Sequence, residues 1–177
     1  MATRNNRTPA AFSDPVTAYA RAVIAGSIVA GPLVRAACTR HLNDLQHGPA
    51  RGLVFDTTKM QRAIDFFGEV LRLNGGEFEG LPFVLVPWQA FIVGSLFGWV
   101  RAEDGMRRFR SAYLEIGKGN GKSPLAAGIG LYCLCSDDEP RAEVYAAATK
   151  KDQAMILFRD AVAMVDQSPE LRKRLVK

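Results

Sequence analysis

Between residues 117 and 123 the chain reads Gly117-Lys118-Gly119-Asn120-Gly121-Lys122-Ser123, glycines at alternate positions interleaved with ammonium groups, an amide and a hydroxyl. Glycines let a backbone adopt positive φ and bring its N–H groups up to an anion with no Cβ in the way. A lysine followed by a hydroxyl suits a polyphosphate, because the ammonium reaches the β and γ phosphates while the hydroxyl helps hold Mg²⁺. The chemistry on offer is nucleotide binding. Gly117, Gly119, Asn120, Gly121 and Lys122 would form the cradle, and Ser123 the link to the metal. The plainer alternative is a glycine-rich turn with a solvated lysine.

Such a loop needs a strand before it and a helix after it. Residues 109–116 are short, aromatic and aliphatic, and stop where the glycines begin, as a buried strand does. Pro124 suits a helix start, whose dipole would face the phosphates. Ile116 stands where the usual Gly-x-x-x-x-Gly-Lys-Ser pattern has its first glycine. Downstream, residues 142–148 predict a second strand, and Thr149 is the expected cap of a helix with Ala154, Leu157, Phe158, Ala161, Val162 and Val165 on its apolar face. Ser168-Pro169-Glu170 opens another helix by the same capping logic. Strand, helix, strand and helix in that order predict a parallel α/β sheet with right-handed crossovers.

Upstream, residues 1–14 are polar and weakly patterned, and are expected to form a mobile arm. Residues 15–25 predict a helix with Val16, Tyr19, Ala20, Val23 and Ile24 on one stripe. A second helix opens at Gly31-Pro32, turns Leu33, Ala36, Ala37 and Leu45 inward, and ends near Gly48-Pro49. Leu53-Val54-Phe55-Asp56 resembles a metal-ordering strand end, but the preferred reading is a short extended segment whose Asp56 or Thr57 caps the next helix. That helix, residues 59–73, carries Met60, Ala63, Ile64, Phe67 and Leu71 at helical spacing and stops at Gly75-Gly76. In the following helix Trp88, Phe91, Ile92, Ser95, Leu96 and Trp99 share a face. Gln89 lies off that face, its amide free for a partner outside the core.

The 177 residues suffice for one good core, and 48% hydrophobic with 23% charged residues excludes wholesale disorder. A net charge of +5 and a pI of about 9.3 permit a polyanionic partner. The basic clusters, Arg101, Arg107, Arg108 and Arg110, and Arg172, Lys173, Arg174 and Lys177, read equally as solvated surface or as phosphate-contacting patches. Cys38, Cys133 and Cys135 lack C-x-x-C spacing, and His41 and His47 complete no ligand set, which argues against a zinc site or a disulfide scaffold. No apolar run reaches the ~20 residues that span a bilayer, so no membrane partner is expected. With no secretory signal in residues 1–17, the chain reads as cytoplasmic.

Several segments together resemble a known family, the large terminase subunit of tailed bacteriophages, in the N-terminal part of its DNA-packaging ATPase. Pro82-Phe83, Pro87-Trp88-Gln89, Leu96-Phe97-Gly98-Trp99, Tyr113-Leu114-Glu115-Ile116 leading into the loop, and Ala147-Ala148-Thr149 with Gln153-Ala154 occur in that family's order. The resemblance covers residues 53–171 and implies ATP and Mg²⁺ as cofactors, with Ser123 reaching the metal through ATP. It accounts for the missing first glycine. It also places Lys118 where the family has an arginine, and a lysine supplies charge there but no planar bidentate fork. Lys122 and Lys118 become the candidate catalytic cations. Gln89 corresponds to a glutamine used on adenine, with Trp88 beside it. Thr149 and Gln153 match a segment coupling nucleotide state to DNA handling.

The implied fold is an α/β, P-loop NTPase-type parallel sheet with flanking helices, incomplete, and preceded by an N-terminal helical region. Residues 15–50 would be the helical region and 51–177 the N-terminal portion of the ATPase domain. The implied function is ATP binding for translocation of double-stranded DNA into a procapsid, in the bacterial host cytoplasm with transient docking at the portal. Portal protein and small terminase subunit are the implied partners. The Walker B aspartate, catalytic glutamate and nuclease of the family are not found in the sequence, so a complementary chain is a further implied partner. The alternative is a non-catalytic nucleotide-binding or assembly fragment. Without a Walker B strand one edge of residues 109–116 is expected to stay unpaired, leaving the chain marginally stable or prone to self-association.

Overall fold

The computed structural model describes residues 14–175, which fold as α1 (Pro15–Ile24), α2 (Pro32–His47), β1 (Leu53–Phe55), α3 (Thr57–Asp65) running into a π turn (Phe66–Val70), α4 (Pro87–Gly98), β2 (Trp99–Arg101), α5 (Lys122–Cys135), α6 (Lys151–Gln167) and α7 (Pro169–Arg174). The expected arm lies outside the described residues except for Asp14, whose carboxylate accepts the Thr17 N–H at 2.8 Å and caps α1. Asp56 caps α3 in the same way, accepting from Thr58 and Lys59 at 2.9 and 3.0 Å, as its position predicts. Ser168 caps α7 through the Leu171 N–H at 3.3 Å. Among the described residues no helix is long and apolar enough to cross a membrane.

Two apolar clusters share α4. Phe91 joins Val16, Tyr19, Ala20, Val23 and Met60 of α1 and α3, while Val93 and Phe97 join Phe67, Leu71, Leu125 and Leu131. Trp88 touches both clusters. The helix is therefore buried nearly all round, and the single aromatic face expected for it does not exist: Ala90, Val93, Gly94 and Phe97 are as buried as Phe91, and Trp99 belongs to β2. A helix flanked on both sides has no solvent stripe to preserve. Glycines set its spacing, since a Cβ on Gly94 would run into Val16 and lie 3.0 Å from Met60 Cγ. On α5, a Cβ on Gly128 would lie 2.9 Å from Phe67 Cζ and 3.0 Å from Leu71 Cδ1.

The sheet differs from the one expected. β1 and β2 form a two-stranded antiparallel pair, with Val54 opposite Val100. Residues 109–116 and 142–148 adopt no regular secondary structure and carry no ladder among the described residues. The chain is α/β in class, with no parallel sheet among these residues. An extended segment becomes a strand only when a neighbour takes its N–H and C=O groups, which neither segment has.

Helix α2 also departs from its expected phase. Leu33 is 75% exposed, and the inward positions are Cys38, His41 and Asp44. These polar groups are tolerated inside because each finds a partner. Trp99 Nε1–H donates to His41 Nδ1 at 3.0 Å, so His41 Nε2 carries the proton and donates to Thr17 Oγ1, also at 3.0 Å. Asp44 accepts from the guanidiniums of Arg51 and Arg108. Burial pushes the Asp44 carboxyl up, but the two arginines outweigh it and hold the group below the usual carboxylate range.

Two outcomes are expected. Gly128→Ala overpacks a buried contact at about 1–3 kcal/mol against a helix-propensity gain of about 1, so urea unfolding should show a net loss of up to about 2 kcal/mol. Burial lowers the His41 pKa below its ordinary value of 6.5. The unfolded chain then binds the proton more readily, and the stability this neutral imidazole contributes is present above pH 6.5 and lost as pH falls through the folded pKa. Denaturation midpoints measured from pH 7.5 to 5 should fall for the wild type and fall less for His41→Gln.

Candidate functional site

The glycine loop is held between two anchored ends. Upstream, Arg108 bonds to Asp44 and lies over the rings of Trp99 and Phe109, 5.4 and 4.9 Å from their centroids. Arg107 pairs with Asp137 at 3.3 Å and covers Phe97 at 5.5 Å, and Arg101 pairs with Glu103 and Asp104. Most of the basic cluster before the loop is thus committed to intramolecular pairs rather than presented as a free phosphate-contacting patch. Asp138 pairs with Arg62, so Asp137 and Asp138 both tie the α5–α6 connection back onto the body.

Downstream, α5 is fixed by the burial of Leu125, Ala127, Gly128 and Leu131 against the second cluster. Between the anchors the loop crosses left-handed backbone at Gly119 (φ +84°) and Gly121 (φ +68°), and Gly121 serves as the N-cap of α5. Asn120 braces the curve, its Nδ2 donating to Gly117 O at 3.3 Å and to Lys118 O at 3.5 Å. The backbone N–H groups of residues 117–121 donate to no protein acceptor among the described residues. Successive open N–H groups at a helix start form a concave anion-binding surface.

The predicted side chains fall as follows. Lys118 and Lys122 are exposed and make no ion pair among the described residues. Ser123 is half-buried in the first turn of α5. Gln89 is 7% exposed, not free as expected, because its Oε1 accepts the Val86 N–H at 3.1 Å and closes the start of α4. Its Nε2 has no hydrogen-bond acceptor among the described residues and lies 3.7 Å from where a Cβ on Gly121 would sit. The fold therefore brings Gln89 to the glycine loop. Trp88, Gly117 and Asn120 line one cleft of about 910 Å³.

Thr149 does not cap α6: Lys150 is the N-cap, and the Thr149 hydroxyl donates to Gln153 Oε1 at 3.1 Å. Phe158, expected inward, is 56% exposed, and Met164 takes a buried place instead. Among the described residues no cluster of His, Cys, Asp or Glu could hold a metal ion. Sequence reasoning missed the His41–Trp99 and Asp44–Arg108 links. Their signal was the spacing of Cys38, His41 and Asp44 on one face of α2.

A glycine loop with open amides that runs into a helix start has the chemistry to receive an anion. Comparison with known proteins carries this further: the terminase large subunit ATPase domain family matches residues 87–176, and the chain belongs to that family. The chain is also similar to the terminase large subunit of Enterobacteria phage HK97, 29% identical over 117 residues, which is 66% of this chain and 22% of that protein. The chain thus spans well under half the length of that relative. No solved structure matches it.

The αL geometry at Gly121 sets a cost. An L-residue there meets no steric neighbour closer than the Gln89 amide at 3.7 Å, so the penalty is the backbone's alone. Gly121→Ala should lose about 1–2 kcal/mol and lower the thermal midpoint by roughly 2–8 °C in a calorimetric scan.

Proposed function

We propose that this chain is the ATP-gripping segment of a phage terminase large subunit, whose hydrolysis cycle drives double-stranded DNA into a procapsid. The carrying observation is the run of open N–H groups over residues 117–121 at the start of α5, in a chain of the terminase ATPase family. The β and γ phosphates would sit on these N–H groups, with Lys122 beside them and Lys118 at the γ phosphate. The free Gln89 Nε2 and the Trp88 ring would face the adenine. Ser123 is the residue that would reach Mg²⁺, which neutralises phosphate charge when bound. Its hydroxyl fits a metal held chiefly by ATP and water, since the described residues offer no carboxylate cage.

Phosphoryl transfer rests on positioning and electrostatics, and it needs a group to orient the attacking water. Asp137 and Asp138, the acids following α5, are committed to arginines. These residues therefore supply nucleotide grip, and the water-orienting carboxylate comes from another segment. In the working motor residues 109–116 and 142–148 would join a parallel sheet. The unladdered state of both segments also favours the second reading, a nucleotide-holding assembly module completed by a complementary chain. Portal protein and small terminase subunit are the proposed partners, and the proposed setting is the host cytoplasm with docking at the procapsid portal.

Calorimetric titration with ATP and Mg²⁺ tests the loop. Lys122→Ala should weaken binding at least ~10-fold, the loss of about 1.4 kcal/mol or more expected for a charge-assisted phosphate contact. Unchanged affinity would sink the assignment.

A further inference from the structure

The cleft beside the glycine loop has a wall on which no role has yet been placed. Its floor is α4, through Trp88 and Phe91, and its near rim is Gly117 and Asn120. The lining is completed by the connection between α1 and α2, where Val29 is 98% exposed, and by the first turn of α2, where Leu33 is 75% exposed. Val29, Leu33 and Val34 are exposed and grouped on this one cleft, and grouped exposed apolar side chains mark a ligand-binding groove. The cleft's volume of about 910 Å³ lies within the size of small-molecule sites, roughly 300–1,000 Å³.

Charge decides what fits. The lining residues include no lysine or arginine, and Glu115 is the carboxylate among them. A phosphate would be repelled there, whereas a neutral heterocycle with a sugar would bury its faces on Trp88, Val29 and Leu33 and offer hydroxyls to Glu115. Gly117 and Asn120 belong both to this cleft and to the phosphate cradle, so one nucleotide can occupy the two together.

We infer that the α1–α2 connection and the first turn of α2 are the outer wall of the base-and-ribose pocket, with Val29 and Leu33 closing over the face of the adenosine opposite α4. This rests on the reading of residues 117–123 as the phosphate site. It makes the N-terminal helices part of the nucleotide site.

The test compares ATP, tripolyphosphate and adenosine on the 177-residue chain. Val29→Ser/Leu33→Ser alters only exposed side chains, and its fold is checked by circular dichroism. Wild-type protein should bind ATP more tightly than tripolyphosphate. The double variant should lose about tenfold in ATP affinity, as expected for removing one apolar wall, and none for tripolyphosphate. Adenosine alone should shift the indole N–H resonance of Trp88 and leave that of Trp99 in place. ATP affinity unchanged in the double variant, or a Trp88 resonance that adenosine does not move, overturns the inference. The two readings fail separately. If Lys122→Ala abolishes tripolyphosphate binding while adenosine has no effect, the loop stands and the wall falls; if adenosine shifts Trp88 while tripolyphosphate binds regardless of Lys122, the reverse holds.

Discussion

Helix α4 must be covered on every side, and the rest of the structure follows from how that is done. Its residues offer no polar stripe, so one flank recruits α1 and α3 and the other recruits the π turn and α5. Gly94 on α4 and Gly128 on α5 bring these neighbours to separations that any side chain would prevent. The loop at residues 117–121 then leads into a helix whose first turns are pinned by Leu125 and Ala127.

A second constraint comes from the polar face of α2. His41 and Asp44 are buried, and each is satisfied by groups distant in sequence, Thr17 and Trp99 for His41 and Arg108 for Asp44, with Arg51 of the following turn also on Asp44. Breaking one such link leaves a desolvated donor or acceptor behind, which costs more than the bond itself contributes. The network therefore specifies how α2 sits against β2 and where the segment approaching the loop begins.

The parts of this architecture readable from sequence were those governed by local rules. Asp56 and Ser168 as caps, Gly31-Pro32 and Gly48-Pro49 as helix limits, and the helix opening at Lys122 each depend on residues within a few positions. The phase of α2 was misjudged because Leu33 and Ala36 look like core by composition, while the partners that let His41 and Asp44 go inside lie far along the chain. Gln89 was placed outside the core on periodicity, yet a helix buried all round has no outside, and its Oε1 serves the helix start. Pairing of residues 109–116 and 142–148 could not be read from either segment alone, because a ladder belongs to two strands. The glycine loop was legible because left-handed backbone, adopted at Gly119 and Gly121, is a conformation that glycine takes and other residues avoid. The cleft was not, as its wall comes from residues 28–34.

The segment over residues 109–116 has fixed ends and a middle without ladder partners among the described residues. Arg108 is clamped to Asp44 at one end, and at the other the chain passes through the loop into the immobile helix α5. Its eight residues span at most about 26–29 Å when drawn straight. A tether of this kind behaves as a bowstring: straightening or slackening it shortens or lengthens the reach left for Gly117 and Gly119, and so alters the curvature of the amide nest. Recruitment of the segment into a sheet and the curvature of the glycine loop would then be one mechanical variable rather than two.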